Sequence, residues 1–142
     1  MLLNVGWKGG EYWMKSGVAA GAVAGLVGGI VMVIFGAIGV SMKLLGLPPG
    51  SMAEIVAADI ILTVIFGAIF GAIFSKFHDS IPGAGVSKGL YFGLMIWLIK
   101  DIACSAYIGF VDKIIPIAVG LIFLGFFTWI AYGSLLGALC KK

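Results

Sequence analysis

Four long apolar runs, at about 17–40, 52–74, 89–110 and 117–139, leave this chain few ways to fold. At a rise of 1.5 Å per residue, each is long enough to cross a hydrocarbon core of about 30 Å. Lipid offers backbone groups no hydrogen-bond partners, so such runs must satisfy their own as helices. The chain of 142 residues is 62% hydrophobic and 11% charged, with a mean hydropathy of +1.20. A soluble domain of that size has no interior large enough to hide so much apolar surface. The expected fold is all-α: a polytopic membrane protein of four transmembrane helices in an antiparallel bundle with short loops.

The polar segments mark the ends of the runs. Residues 1–16 combine Trp7, Tyr12 and Trp13 with Lys8 and Lys15, a mixture that settles at headgroup level, so this stretch reads as an interfacial segment before a membrane domain at 17–142. It is too interrupted by Gly9, Gly10 and Glu11 for a cleavable signal. Pro48, Pro49 and Gly50 break the chain after the first run, and Ser51-Met52-Ala53-Glu54 matches a capping box that opens the next helix. Residues 75–88 read as a polar loop, and 109–116 as a short turn. Six lysines (Lys8, Lys15, Lys76, Lys88, Lys141, Lys142) fall on the side of both termini, against Lys43 and Lys113 opposite. The positive-inside rule then predicts an integral protein of the cell or plasma membrane with both termini cytoplasmic. The net charge of +3 comes from lysines at helix ends, where they meet lipid phosphates, and calls for no nucleic acid.

Glycine is the second signal. Gly17, Gly21, Gly25 and Gly29 recur every fourth residue in the first run, a glycine zipper that lets another backbone approach closely. The second run carries Gly67 and Gly71, and the fourth Gly133 and Gly137, in FGAIFGAIFSK and YGSLLGALCKK. These matching ends, with a lysine and a GxxxG opening both the first and third runs, suggest two helical hairpins in tandem, a parallel repeat. Placing Gly89 on Gly17 sets Lys100 and Asp101 against Gly28 and Gly29, and the other pairing sets Asp59 against Gly125.

Charges inside the runs are the candidate functional site. Lys100 and Asp101 stand near the middle of the third run, where each charge costs at least about 2.5–3.5 kcal/mol unless paired or hydrated. Asp59 lies in the second run at a similar expected depth, on a stripe with Thr63, Gly67 and Gly71. Trp97 and Ser105 share the helix face of Asp101, so Thr63, Trp97 and Ser105 form the expected periphery. Lys100 can pair with Asp59 or with Asp101, either of which would serve simply to fix helix register. Two acids against one base leave a carboxylate over, and a surplus acid in a membrane takes up a proton or attracts a cation.

No other chemistry competes. The chain has no HExxH, G-x-S-x-G or P-loop motif, and its lone histidine, His78, has no companion ligands at metal spacing, so no catalytic residue, metal or cofactor is expected. Hydrolysis by an Asp59/Asp101 pair is disfavoured by Lys100 beside them. Cys104 and Cys140 fall near opposite ends of different runs, too far apart for a disulfide within the chain, and Cys104 reads as a small buried packing residue. Two functions fit. One is an ion, proton or small-solute channel or transporter, a homo-oligomer using the Asp59, Lys100, Asp101 cluster. The alternative is a non-catalytic accessory or assembly subunit whose glycine faces pack on partner membrane subunits.

Overall fold

The computed structural model describes residues 7–42, 45, 51–111 and 115–140, with backbone alone for 7–16. The Pro48-Pro49-Gly50 break, Lys43, Lys113, Lys141 and Lys142 lie outside the described residues, as do the side chains of Trp7, Tyr12 and Trp13. Helix α1 spans Trp7–Ser41 and α2 spans Met52–Phe77, followed by a 3-10 turn at His78–Ser80. Helix α3 spans Val86–Ile96 and passes through a π-helical segment, Trp97–Ile102, into α4, Ala103–Phe110. Helix α5 spans Ile115–Leu139. Four stretches are apolar and long enough to cross a membrane: Gly17–Ser41, Met52–Ser80, Val86–Phe110 and Ile115–Leu139.

Local chemistry explains the helix ends. The Ser51 hydroxyl accepts from the Glu54 amide and the Glu54 carboxylate accepts from the Ser51 amide, closing both arms of the capping box. Helix α2 runs past the expected loop start at Ser75, and Lys76 in its last turn complements the negative end of the helix dipole. Gly85 leaves α2's loop with φ at +51°, a left-handed conformation that glycine adopts without strain, and α3 begins at the next residue. Pro116 sits in the first turn of α5, where its missing N–H costs no hydrogen bond, so that helix starts before the proline instead of after it.

Glycine contacts define two hairpins. Helix α1 packs along α2, α3 and α4 pack along α5, and α1 meets α5 between them. A β-carbon on Gly21 would lie 2.7 Å from the Gly71 α-carbon, and one on Gly25 would lie 3.1 Å from that of Gly67. In the second hairpin a β-carbon on Gly89 would lie 2.8 Å from the Gly137 α-carbon, and one on Gly93 would lie 3.3 Å from that of Gly133. Gly89 therefore takes the place of Gly21 and not that of Gly17. This corrects the expected alignment by one helical turn: Lys100 and Asp101 stand against Met32 and Val33, not against Gly28 and Gly29. The pairing of Asp59 with Gly125 is retained, because Thr63 meets Gly25 as Trp129 meets Gly93.

The buried core lies in the half of the bundle nearer the termini. Phe74, Phe92, Ile96, Trp129, Tyr132 and Leu136 are all nearly inaccessible there. Phe74 packs on Phe92 at 5.2 Å between ring centroids, and Phe70 meets Trp129 edge-on at 5.5 Å. Tyr132 donates its hydroxyl proton to the Gly67 carbonyl at 2.9 Å, tying the two hairpins at one level. Toward the far end α4 stays close to α5, where a β-carbon on Gly109 would lie 3.3 Å from that of Ala118, but α1 has open space beside it. A β-carbon on Gly36 would meet nothing within 4 Å.

Candidate functional site: an intramembrane carboxylate in a π turn

The third span needs its π segment to keep one face inward. Gly89, Gly93, Trp97, Asp101 and Ser105 are spaced by four, and in a regular α-helix each such step drifts about 40°, so four steps would carry Ser105 about 160° around. The wider turn at Trp97–Ile102 takes up that drift. Gly89, Gly93 and Ser105 are buried and Trp97 and Asp101 are largely covered. Cys104, one row over, is exposed, which corrects the expectation of a buried packing thiol; Cys140 is the buried one, and burial pushes its thiol pKa up. Both thiols are free.

Asp101 is held from two sides. Lys100 donates from Nζ to Oδ1 at 2.9 Å, and Trp129 donates from Nε1 to Oδ2 at 2.7 Å. The carboxylate rests on Gly125, where a β-carbon would stand 2.7 Å from Asp101 Cγ. Any larger residue at 125 displaces it. Lys100 Nζ also lies 5.5 Å from the centroid of the Trp129 ring, a cation–π approach that further offsets the cost of the ammonium. The Asp101 side chain is only 12% exposed but that of Lys100 is 48% exposed, so the acid is seated inside the bundle and the base leans out of it.

The remaining expected residues divide between the two hairpins. Trp97 does not reach Asp101; its Nε1 donates to the Ile122 carbonyl at 2.9 Å and its ring meets Phe126 edge-on, fastening the π turn to α5. Thr63 shares its hydroxyl proton between the carbonyls of Asp59 and Ile60, at 2.8 and 3.0 Å, and stands against Gly29. Asp59 is half-buried, and among the described residues its carboxylate makes no hydrogen bond or ion pair. The structure thus joins Lys100 to Asp101 and leaves Asp59 outside the pair. Yet Asp59 occupies the place in the first hairpin that Gly125 occupies in the second. Asp59 and Asp101 therefore stand at corresponding levels of the two hairpins, on α2 in the first and on the π turn in the second.

Two partners of Asp101, Trp129 and Gly125, were not among the residues expected from sequence. The signal that reaches them is the repeat, since Gly125 is the counterpart of Asp59 and Trp129 that of Thr63. His78 stands apart in the 3-10 turn, with Nδ1 3.3 Å from Asp79 and its carbonyl accepting from Lys88 Nζ at 2.7 Å. Among the described residues no three histidine, cysteine or acidic side chains converge in a metal-binding arrangement. Comparison with known protein families, characterised proteins and solved structures gives no match, so this chain's own geometry carries the functional reading.

Proposed function

We propose that this integral membrane protein is a small channel or transporter for protons, a cation or a small solute, and not an enzyme, with Asp59 as the working carboxylate. One observation carries the reading. Lys100 neutralises Asp101, and Asp59, at the same level in the other hairpin, has no neutralising partner among the described residues. A lone carboxylate inside a membrane span takes a proton or attracts a cation, and the exchange of either is transport chemistry. The half-exposed Lys100 supports the same reading, since an ammonium at that depth calls for water or a neighbouring protein surface. We further propose that the termini are cytoplasmic, on the six-to-two division of lysines at the helix ends.

The glycine-zipper stripes support close packing within each hairpin and leave permeation to a homo-oligomer, because four thin helices enclose little volume. Asp59, without an ion-pair partner among the described residues, also favours a second reading, an accessory subunit in which a basic residue of a partner membrane protein answers that acid. Reconstitution separates the two. A transporter keeps its fold and oligomeric state alone in detergent and moves protons, alkali cations or a small solute in liposomes. An accessory subunit is inert alone and co-purifies with its partner from native membrane.

A further inference from the structure

Between the far ends of α1 and α5 lies an apolar slot of about 530 Å³. Its floor is the stacked pair Phe35 and Phe127, with ring centroids 4.5 Å apart and planes within 4°. Gly39 on α1 and Gly120 on α5 form facing walls, and the Leu45 side chain is wedged between them. A β-carbon on Gly39 would come 2.6 Å from Leu45 Cδ1, and one on Gly120 would run into Cδ2. At that level the walls stand one aliphatic side chain apart, and Leu45 occupies the space between them. A helix with its side chains is about 10–12 Å across and does not enter a gap of that width. A hydrocarbon chain does.

Length points to the same occupant. The slot follows α5 from Ile115 to Phe127, about 18 Å at the helical rise, and ends at the aromatic floor. One leaflet of a bilayer core is about 15 Å deep, half of the full ~30 Å. The slot thus runs from the end of the bundle away from the termini to near the midplane, as deep as one acyl chain reaches. Val119 and Phe123, both exposed in the chain alone, complete a predominantly apolar lining.

We propose that this slot is an acyl-chain site, seating one chain of a phospholipid from the leaflet opposite the termini, with Leu45 filling the part of the gap that the lipid leaves. It lies between the hairpins, so its occupant sets how far α1 and α5 spread beyond the Tyr132 tie. The inference is independent of any transport activity.

The test uses the full chain in nanodiscs of phosphatidylcholine containing a small share of phosphatidylcholine with a diazirine midway along one acyl chain. After irradiation, adducts are mapped by mass spectrometry. Adducts at the slot residues Phe35, Ile38, Met42, Val119, Phe123 and Phe127 should exceed, several-fold, those on the exposed face of α2 at Ile61, Ile65 and Ile69. Val119→Phe and Ile38→Phe, which crowd the open part of the slot from α5 and from α1, should each cut slot labelling several-fold and leave α2 labelling unchanged. A wild-type slot labelled no more than the α2 face, as annular lipid alone or a second copy lying across it would give, overturns the proposal. So does slot labelling that persists in both variants.

Discussion

One methyl group at Gly67 should pry the first hairpin apart, whereas the same methyl at Gly36 should cost nothing. A β-carbon at Gly67 would stand 2.7 Å from the Gly25 α-carbon and meet the Gly21 carbonyl as well. Carbon atoms rest about 3.5–4.0 Å apart, so α1 and α2 must separate by about 1 Å over at least a turn. Neither contact is the tip of a flexible side chain; both are backbone, so the helices themselves have to move. Overpacking of that kind costs about 1–3 kcal/mol. Gly36 has open space where its β-carbon would go, and an alanine there gains helix stability of up to about 0.5–1 kcal/mol. The two variants should differ by roughly 1.5–4 kcal/mol in opposite directions from wild type. Unfolding in a fixed detergent, titrated with sodium dodecyl sulfate and followed by circular dichroism, measures the difference. Equal stability of Gly67→Ala and Gly36→Ala would refute the backbone contact as the element that holds α1 to α2.

Lys100→Met should destabilise by roughly 1–3 kcal/mol, below the full cost of breaking a buried pair because Lys100 is half-exposed, and adding Asp101→Asn should recover most of that loss in the same titration. Gly125→Ala should displace the Asp101 carboxylate from its seat and lower stability by an amount comparable to Trp129→Phe, which removes one charge-assisted hydrogen bond worth about 1.5–3 kcal/mol. Tyr132→Phe should cost about 0.5–1.5 kcal/mol through loss of the tie to Gly67, with secondary structure unchanged by circular dichroism. For topology, a cysteine at Leu47 should react with an impermeant thiol reagent on intact cells and a cysteine at Ser80 should not; the reverse pattern would invert the assigned orientation.

The four spans and the capping box at Ser51 were legible because each is a local property: hydropathy over twenty residues, or a hydroxyl and a carboxylate three residues apart. Residues spaced by four share a helix face, and on α1 and α2 Gly21 and Gly25 stand close to Gly71 and Gly67. The site was only partly legible. Lys100, Asp101 and Asp59 stand out in a chain with so few charges, but the π turn that aims Asp101 inward has no signature in residue type. Regular helical spacing placed Trp97 beside Asp101, whereas the tryptophan that bonds it, Trp129, lies 28 residues away on another helix. Which of the two acids Lys100 serves was equally beyond the sequence, because both stand at the same depth. The repeat register slipped by one turn for a related reason: Gly85, Gly89 and Gly93 offer several equivalent stripes, and only the contacts with Gly133 and Gly137 choose among them.

The most direct test of the transport reading is flux through purified protein in liposomes with Asp59 neutralised. Wild type and Asp59→Asn, matched for detergent stability and reconstituted at equal density, would be compared for proton entry reported by a trapped pH-sensitive dye and for cation entry under an imposed gradient. Flux in wild type that vanishes in Asp59→Asn, and survives in the Lys100→Met, Asp101→Asn double variant, is the predicted result. Flux unchanged by Asp59→Asn, or absent from wild type for protons, alkali cations and small solutes alike, would contradict it.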